Sequence, residues 1–138
     1  MKVFFDTSAF IAFFIKEDVK HEEVVEKYKE YKRQRALFLT SDYVLDELYT
    51  RLIYDFNKRA CKDRIEKLSL AEKNGELKIF NIDNLIFKKA LEVFLKFAEH
   101  KISFTDATIY VCVKEFKLDE VFTLDTDFKK IGLKVSLI

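Results

Sequence analysis

The sequence predicts an α/β protein, a three-layer α/β/α sandwich on a mostly parallel sheet of about five strands. Three observations predict it. Short β-branched and aromatic runs alternate with stretches of helical apolar spacing along the whole chain. No linker, repeat or low-complexity segment interrupts them, and 138 residues is the size of one ordinary domain, so residues 1–138 are expected to form one. Hydrophobic residues make up 49% of the chain and charged ones 36%, enough apolar material for a core and too much for wholesale disorder.

The first strand is Lys2-Val3-Phe4-Phe5, which stops at Asp6 and so carries a carboxylate at its end. Thr7 or Ser8 can cap a helix over 9–15, and a second helix is expected over 18–34, with Val24, Val25, Tyr28 and Tyr31 along one side. Residues 36–40 read as the second strand. Ser41 or Asp42 then caps a helix in which Val44, Leu45, Leu48 and Leu52 recur at helical spacing. Helical spacing returns over 57–74 and closes at Asn74-Gly75, after which residues 76–82 alternate polar and apolar as a third strand. Asp83 caps a helix that runs towards His100. Ser103-Phe104-Thr105-Asp106 has the form of a capping box and opens a helix carrying Ile109, Tyr110, Val113 and Phe116. A fourth strand over 120–124 ends at Asp125, and residues 134–138 are expected to form the fifth.

Composition excludes several functions. The net charge of +1 rules out a protein that coats nucleic acid by bulk charge, so a polyanion must meet a local patch. Cys61 and Cys112 stand alone, without a CxxC or Cys/His cluster, which argues for reduced thiols and against a structural zinc site. No apolar stretch reaches the ~18 residues that would span a bilayer and no cleavable leader opens the chain, so a cytoplasmic protein with no membrane partner is expected.

In open α/β sheets the ligand crevice lies beyond the carboxyl ends of the strands, where strand order reverses. Asp6 ends the first strand and Asp125 the fourth, and Asp106 sits in the first turn of the helix leading into that fourth strand. The three converge if those strands are neighbours. Converging carboxylates repel one another unless a cation lies between them, and an all-oxygen ligand set suits Mg²⁺ or Mn²⁺. Each acid also has a local role open to it: Asp106 as the third residue of a capping box, Asp6 as a turn or cap residue, Asp125 and Asp127 as turn residues around Thr126.

Four segments together resemble the PIN-domain nucleases, and within them the VapC-like toxins of toxin–antitoxin pairs: VFFDTSAFIAFF, SDYVLDELYTRL, ISFTDATIYVCVKEF and VFTLDTDFKKIGL. They occur in the family's order and at its spacing over nearly the whole chain. The resemblance implies an acidic catalytic and metal-binding quartet at Asp6, Glu47, Asp106 and Asp125, with Asp127 as an auxiliary acid supporting a second metal. Helical periodicity alone leaves both Asp46 and Glu47 outside the apolar stripe; the family pattern, an acid followed by an aliphatic residue, selects Glu47. Its bland role would be a solvated pair with Arg51 at i+4. The family further implies hydrolysis of RNA to 5′-phosphate and 3′-hydroxyl ends, an antitoxin partner and a homodimer.

Two basic clusters are available for RNA: Lys27, Lys29, Lys32, Arg33 and Arg35, and then Lys58, Arg59, Lys62 and Arg64. Thr7, Ser8 and Thr123 can bond the acids or a phosphate. His21 and His100 lie in expected surface helices, which disfavours a metal-free histidine ribonuclease. Other readings are a housekeeping RNA-processing nuclease, a non-catalytic PIN-like module that binds RNA or protein, and a haloacid-dehalogenase-type phosphohydrolase. The last usually carries a second Asp two residues after the first, where this chain has Ser8.

Overall fold

Parallel strands cannot be joined by a tight turn, so each needs a crossover connection, usually helical, and the alternation of the sequence follows from this. The computed structural model describes residues 1–137. Its strands are β1 (Lys2–Phe5), β2 (Leu37–Ser41), β3 (Leu77–Phe80) and β4 (Glu120–Phe122). They form one sheet in the order β3-β2-β1-β4 with every pairing parallel. The helices are α1 (Thr7–Phe14), α2 (His21–Arg33), α3 (Asp42–Arg51), α4 (Lys58–Lys73), α5 (Asn84–Lys96), α6 (Phe104–Phe116) and α7 (Asp127–Lys130).

The pleat sends alternate side chains to opposite faces. Val3 on β1 pairs with Phe38 on β2, and Phe38 with Leu77 on β3. On this face Phe5 stacks on Phe10 of α1 at 3.9 Å between ring centroids and touches Phe13, Phe38 and Phe122. Tyr28 and Tyr31 of α2 extend the cluster onto Phe38. The abundance of phenylalanine is thus largely core, and each such ring pair adds about 1 kcal/mol beyond its buried area. On the other face Phe80 stacks on Phe116 of α6 at 4.4 Å, while Phe104 of α6 meets Phe87 and Phe94 of α5. Caps set the helix starts: Ser41 accepts from the Val44 amide, Asp83 from that of Ile86, and Ser103 with Asp106 closes a reciprocal capping box.

Several expectations need correction. The sheet has four strands among the described residues, because 134–137 makes only one isolated parallel bridge, Val121 to Val135. Pairing stops there as the Ser136 side chain turns inwards to Glu120 and to the Val121 carbonyl, and Ile138 lies outside the described residues. β4 ends at Phe122 because hydroxyls capture the next amides: Ser8 accepts from Leu124 and Thr123 from Asp125. The N-cap position of the first α-helix is held by Asp6, not by Thr7 or Ser8, and no side chain caps it. α3 passes into a π-helical turn, Leu52–Phe56, in which the Asn57 amide reaches back to the Leu52 carbonyl.

At the amino end of β4, Glu120 is buried and fully satisfied. Tyr31 of α2 and Ser136 donate to it, and Lys134 approaches to 2.9 Å. Tyr31→Phe removes a hydroxyl bonded to a charged group, so urea denaturation is expected to show a loss of about 2 kcal/mol. A change below about 0.5 kcal/mol would mean that this bond does not hold α2 to the sheet.

Candidate active site at the ends of β1 and β4

The strand order places its reversal between β1 and β4, since β1 to β3 run outwards on one side and β4 returns to the other. The crevice of such a sheet opens at the carboxyl ends flanking that point. A cleft of about 370 Å³ lies there, lined by Asp6, Thr7, Ser8, Glu47, Arg51, Lys101, Ser103, Asp106, Asp125 and Asp127. β1 delivers Asp6, the loop after β4 delivers Asp125, the first turn of α6 delivers Asp106, and α3 delivers Glu47. Asp46 does not line the cleft, which separates the two acids that periodicity left equivalent.

Asp6 is 7% exposed and occupies the N-cap position of α1, yet its side chain makes no capping bond. It accepts instead from the Thr123 hydroxyl at 2.7 Å, across from β1 to β4. That bond consumes the only hydroxyl proton of Thr123, whose oxygen also accepts from the Asp125 amide at 3.0 Å. Ser8, 3.1 Å from Thr123, therefore donates to it, and the Ser8 oxygen accepts from the Leu124 amide at 2.9 Å. Asp125 is held by a further bond from the Asp127 amide. Asp106 does cap its helix, but with one oxygen, Oδ2, which accepts from the Ser103 amide at 3.0 Å. The Glu47–Arg51 pair is not formed, because Arg51 turns to Asp55 at 3.6 Å.

Among the described residues, Asp6, Glu47, Asp106 and Asp125 have no ion-pair partner, whereas Asp127 is paired with Lys130 at 2.9 Å. Burial shifts two of these acids, with neighbouring charge as a smaller cause. Burial pushes the Asp6 carboxyl up to about 7 against the Thr123 and Thr7 bonds, with the charges of Asp106 and Glu47 adding to it. Burial likewise raises Asp106 to about 6, opposed by Ser103 and reinforced by Asp125 and Glu47. The Thr7 hydroxyl is buried without a partner among the described residues.

Acids that offer only oxygen donors and have no ion-pair partners among the described residues fit a hard divalent cation. Among the described residues no three acids are drawn close enough to enclose a cation. Asp6, Asp106, Asp125 and Glu47 are the candidate ligands.

Neither basic cluster lines the cleft. Lys27 and Lys29 pair with Glu30 and Glu26, and Arg64 is turned inwards to Asp63 and the Phe14 carbonyl. His21 bonds the Ala12 carbonyl and His100 lies beside Glu99, both outside the cleft. The cations that do line it are Arg51, read in the sequence only as a surface partner of Glu47, and Lys101, which carried no signal beyond standing two residues before the Ser103 cap.

A parallel sheet with an acid-lined cleft at its switch point defines a class of α/β proteins built around a carboxylate site. Residues 3–134 match the PIN domain, and the chain belongs to the PIN domain family. Among solved structures, VapC20 of Mycobacterium tuberculosis, a toxin that cleaves the sarcin-ricin loop, is 22% identical with a TM-score of 0.78, covering 95% of each chain. VapBC2 of Rickettsia felis, solved on a promoter DNA fragment, is 14% identical with a TM-score of 0.74 over 99% of this chain and 98% of the other. FitAcB of Neisseria gonorrhoeae is 20% identical with a TM-score of 0.66 over 96% and 95%. At these identities the likeness is one of fold. No curated protein matches the chain in sequence.

The raised Asp6 carboxyl makes stability pH-dependent. Because its folded value of about 7 exceeds the ordinary 3.8, the native state holds more protons than the unfolded one between them. Its contribution is full below about pH 4 and is lost as pH rises through about 7. In EDTA, the stability of the native protein relative to Asp6→Asn is expected to fall by a few kcal/mol over that window. Denaturant titrations of both proteins at several pH values check this, and a parallel pH dependence would exclude a raised Asp6.

Proposed function

We propose that the protein is a metal-dependent endoribonuclease and the toxin of a toxin–antitoxin pair, acting in the cytoplasm. The observation that carries this reading is the cleft lined by Asp6, Glu47, Asp106 and Asp125, none of them ion-paired among the described residues. A folded protein keeps like charges together at a cost, and a site for a cation and a polyanionic substrate accounts for it. Membership of the PIN domain family and the VapC fold neighbours support the same assignment.

Asp6, Glu47, Asp106 and Asp125 would hold a Mg²⁺ or Mn²⁺, which would supply Lewis acidity for activating water and for stabilising charge on the leaving oxygen. The protein's own groups orient and exclude. The Thr123 hydroxyl fixes the rotamer of Asp6, and Ser8 fixes Thr123 in turn. Ser103 fixes Asp106 through the capping box, and the Asp127 amide fixes Asp125. Asp127, already neutralised by Lys130, acts as an auxiliary acid. Attack by water in place of the ribose 2′-hydroxyl leaves 5′-phosphate and 3′-hydroxyl ends.

We assign the partners to two apolar features, a half-buried groove and an exposed set of helix residues. An aromatic groove between α1, α2 and α4, lined by Phe10, Phe13, Phe14 and Tyr28, is offered to the antitoxin, consistent with the toxin–antitoxin assemblies among the fold neighbours. The exposed Leu85, Leu91 and Leu95 of α5 are offered to a second copy in a homodimer. No helix of the described residues is long and apolar enough to cross a membrane.

Cleavage of a structured RNA with single-stranded loops, in Mn²⁺, tests the reading. Asp6→Asn is expected to lower the rate by roughly 100-fold or more, and Thr123→Val, which frees Asp6 to rotate and removes an acceptor from the Asp125 amide and Ser8, by roughly 10-fold to 100-fold. Thermal unfolding in EDTA should leave Asp6→Asn as stable as the native protein or more so. Undiminished cleavage by Asp6→Asn would remove Asp6 from the site, and full activity in excess EDTA would reject the metal.

A further inference from the structure

Of the two cations that share the cleft with the acids, Arg51 is engaged by Asp55. Lys101 makes no ion pair among the described residues. An ammonium offers three donors and no acceptor, so a lysine that lines a cleft with five acids yet is tied to none keeps its capacity for a ligand. The chain around it is fixed. Lys101 closes a short 3-10 turn, Ala98–His100, with φ 55 and ψ 35, and its amide donates to the Ala98 carbonyl at 3.1 Å. Ile102, buried, and Ser103, the cap of α6, follow at once. The side chain therefore starts from an anchored turn two residues from the cap that orients Asp106.

The left-handed backbone does not itself mark a site. Arg35 and Lys117 adopt the same conformation at helix ends outside the cleft. It does supply a clean substitution, because glycine enters this region without the steric penalty that other residues meet.

We propose that Lys101 is a substrate-binding residue whose ammonium takes a non-bridging phosphate oxygen of the RNA strand, beside the phosphate that is cut. This rests on the ribonuclease reading. A polyanion approaching an acid-lined cleft needs a cation at the rim, and the net charge of +1 provides no general attraction. A lysine serves as a point charge for one phosphate and carries no base preference.

The test is binding of a short labelled single-stranded RNA of mixed sequence, followed by fluorescence anisotropy in Mn²⁺ over a range of salt. Asp6→Asn provides the background that suppresses cleavage, alone and combined with Lys101→Gly or Lys101→Arg. Loss of one phosphate contact is expected to weaken binding roughly 10-fold in Lys101→Gly and to flatten the log–log salt slope by about 0.7, with Lys101→Arg retaining both. Thermal unfolding should find Lys101→Gly folded, since its backbone suits glycine. Unchanged affinity, or weakened affinity with an unchanged salt slope, would overturn the proposal, as would failure of the background protein to bind RNA. Cleavage by the protein with Asp6 intact is measured separately. Its absence beside a Lys101-dependent salt slope would remove the nuclease reading alone, and its presence beside no Lys101 effect would remove only the phosphate contact.

Discussion

A buried carboxylate without a counter-ion is among the costlier things a fold can hold, and the architecture around Asp6 is arranged to hold one. Burial alone would favour the protonated form and let the side chain find a local role, such as capping the helix it precedes. The Thr123 hydroxyl, just past β4, opposes the first only in part but holds the side chain away from the second by donating to Asp6. The same hydroxyl helps to end β4 at Phe122, since the following amides bond to Thr123 and Ser8 in place of a neighbouring strand. The short strand, the uncapped helix and the raised Asp6 are thus one feature seen at three levels. Beneath it the Phe5 ring cluster supplies apolar burial that offsets the cost.

The two ends of β4 make the point by contrast. At its start Glu120, 6% exposed, is as buried as Asp6. Burial would raise it too, but the bonds from Tyr31 and Lys134 outweigh that and hold it below the usual glutamate range. Sequence and fold can evidently neutralise a buried acid here when the acid is structural. At the opposite end, one short strand away, four acids share a cleft and none receives a cation among the described residues. The difference lies in the partners supplied, and it marks the carboxyl end of the sheet as the candidate site.

The same locality governs any polyanion. Basic residues are plentiful on α2 and α4, but the ion pairs of Lys27, Lys29 and Arg64 spend several of them within the protein. Exposed pairs of this kind contribute little to stability and much to cancelling long-range fields. On the proposed reading, a nucleic acid that enters the cleft meets acids that repel phosphate until positive charge reaches them. Neutralising the cleft and binding a polyanion are coupled, and each must favour the other by the same free energy.

What could be read from the sequence is what local physics determines. Asp6 after an apolar run, the Ser103/Asp106 capping box and the alternation of strands with helices each follow from short-range pattern, and the three-layer parallel fold was legible for that reason. Glu47 was legible only through the family pattern, since periodicity treats it and Asp46 alike; helical phase relative to a cleft is a tertiary fact. The fifth strand failed because a β-favourable run at 134–138 carries no sign that Ser136 will bond inwards to Glu120 and stop the ladder. The π-helical turn after α3 leaves no mark in apolar spacing, although it follows directly on Arg51 at the rim of the cleft. Lys101 was invisible for a related reason: an isolated lysine before a cap looks like any solvated residue, and its meaning arises only when the turn at Ala98–His100 carries it to the acids. Residues that act through their own chemistry announce themselves in sequence, whereas those that act through position become readable only once the strand order has closed the cleft around them.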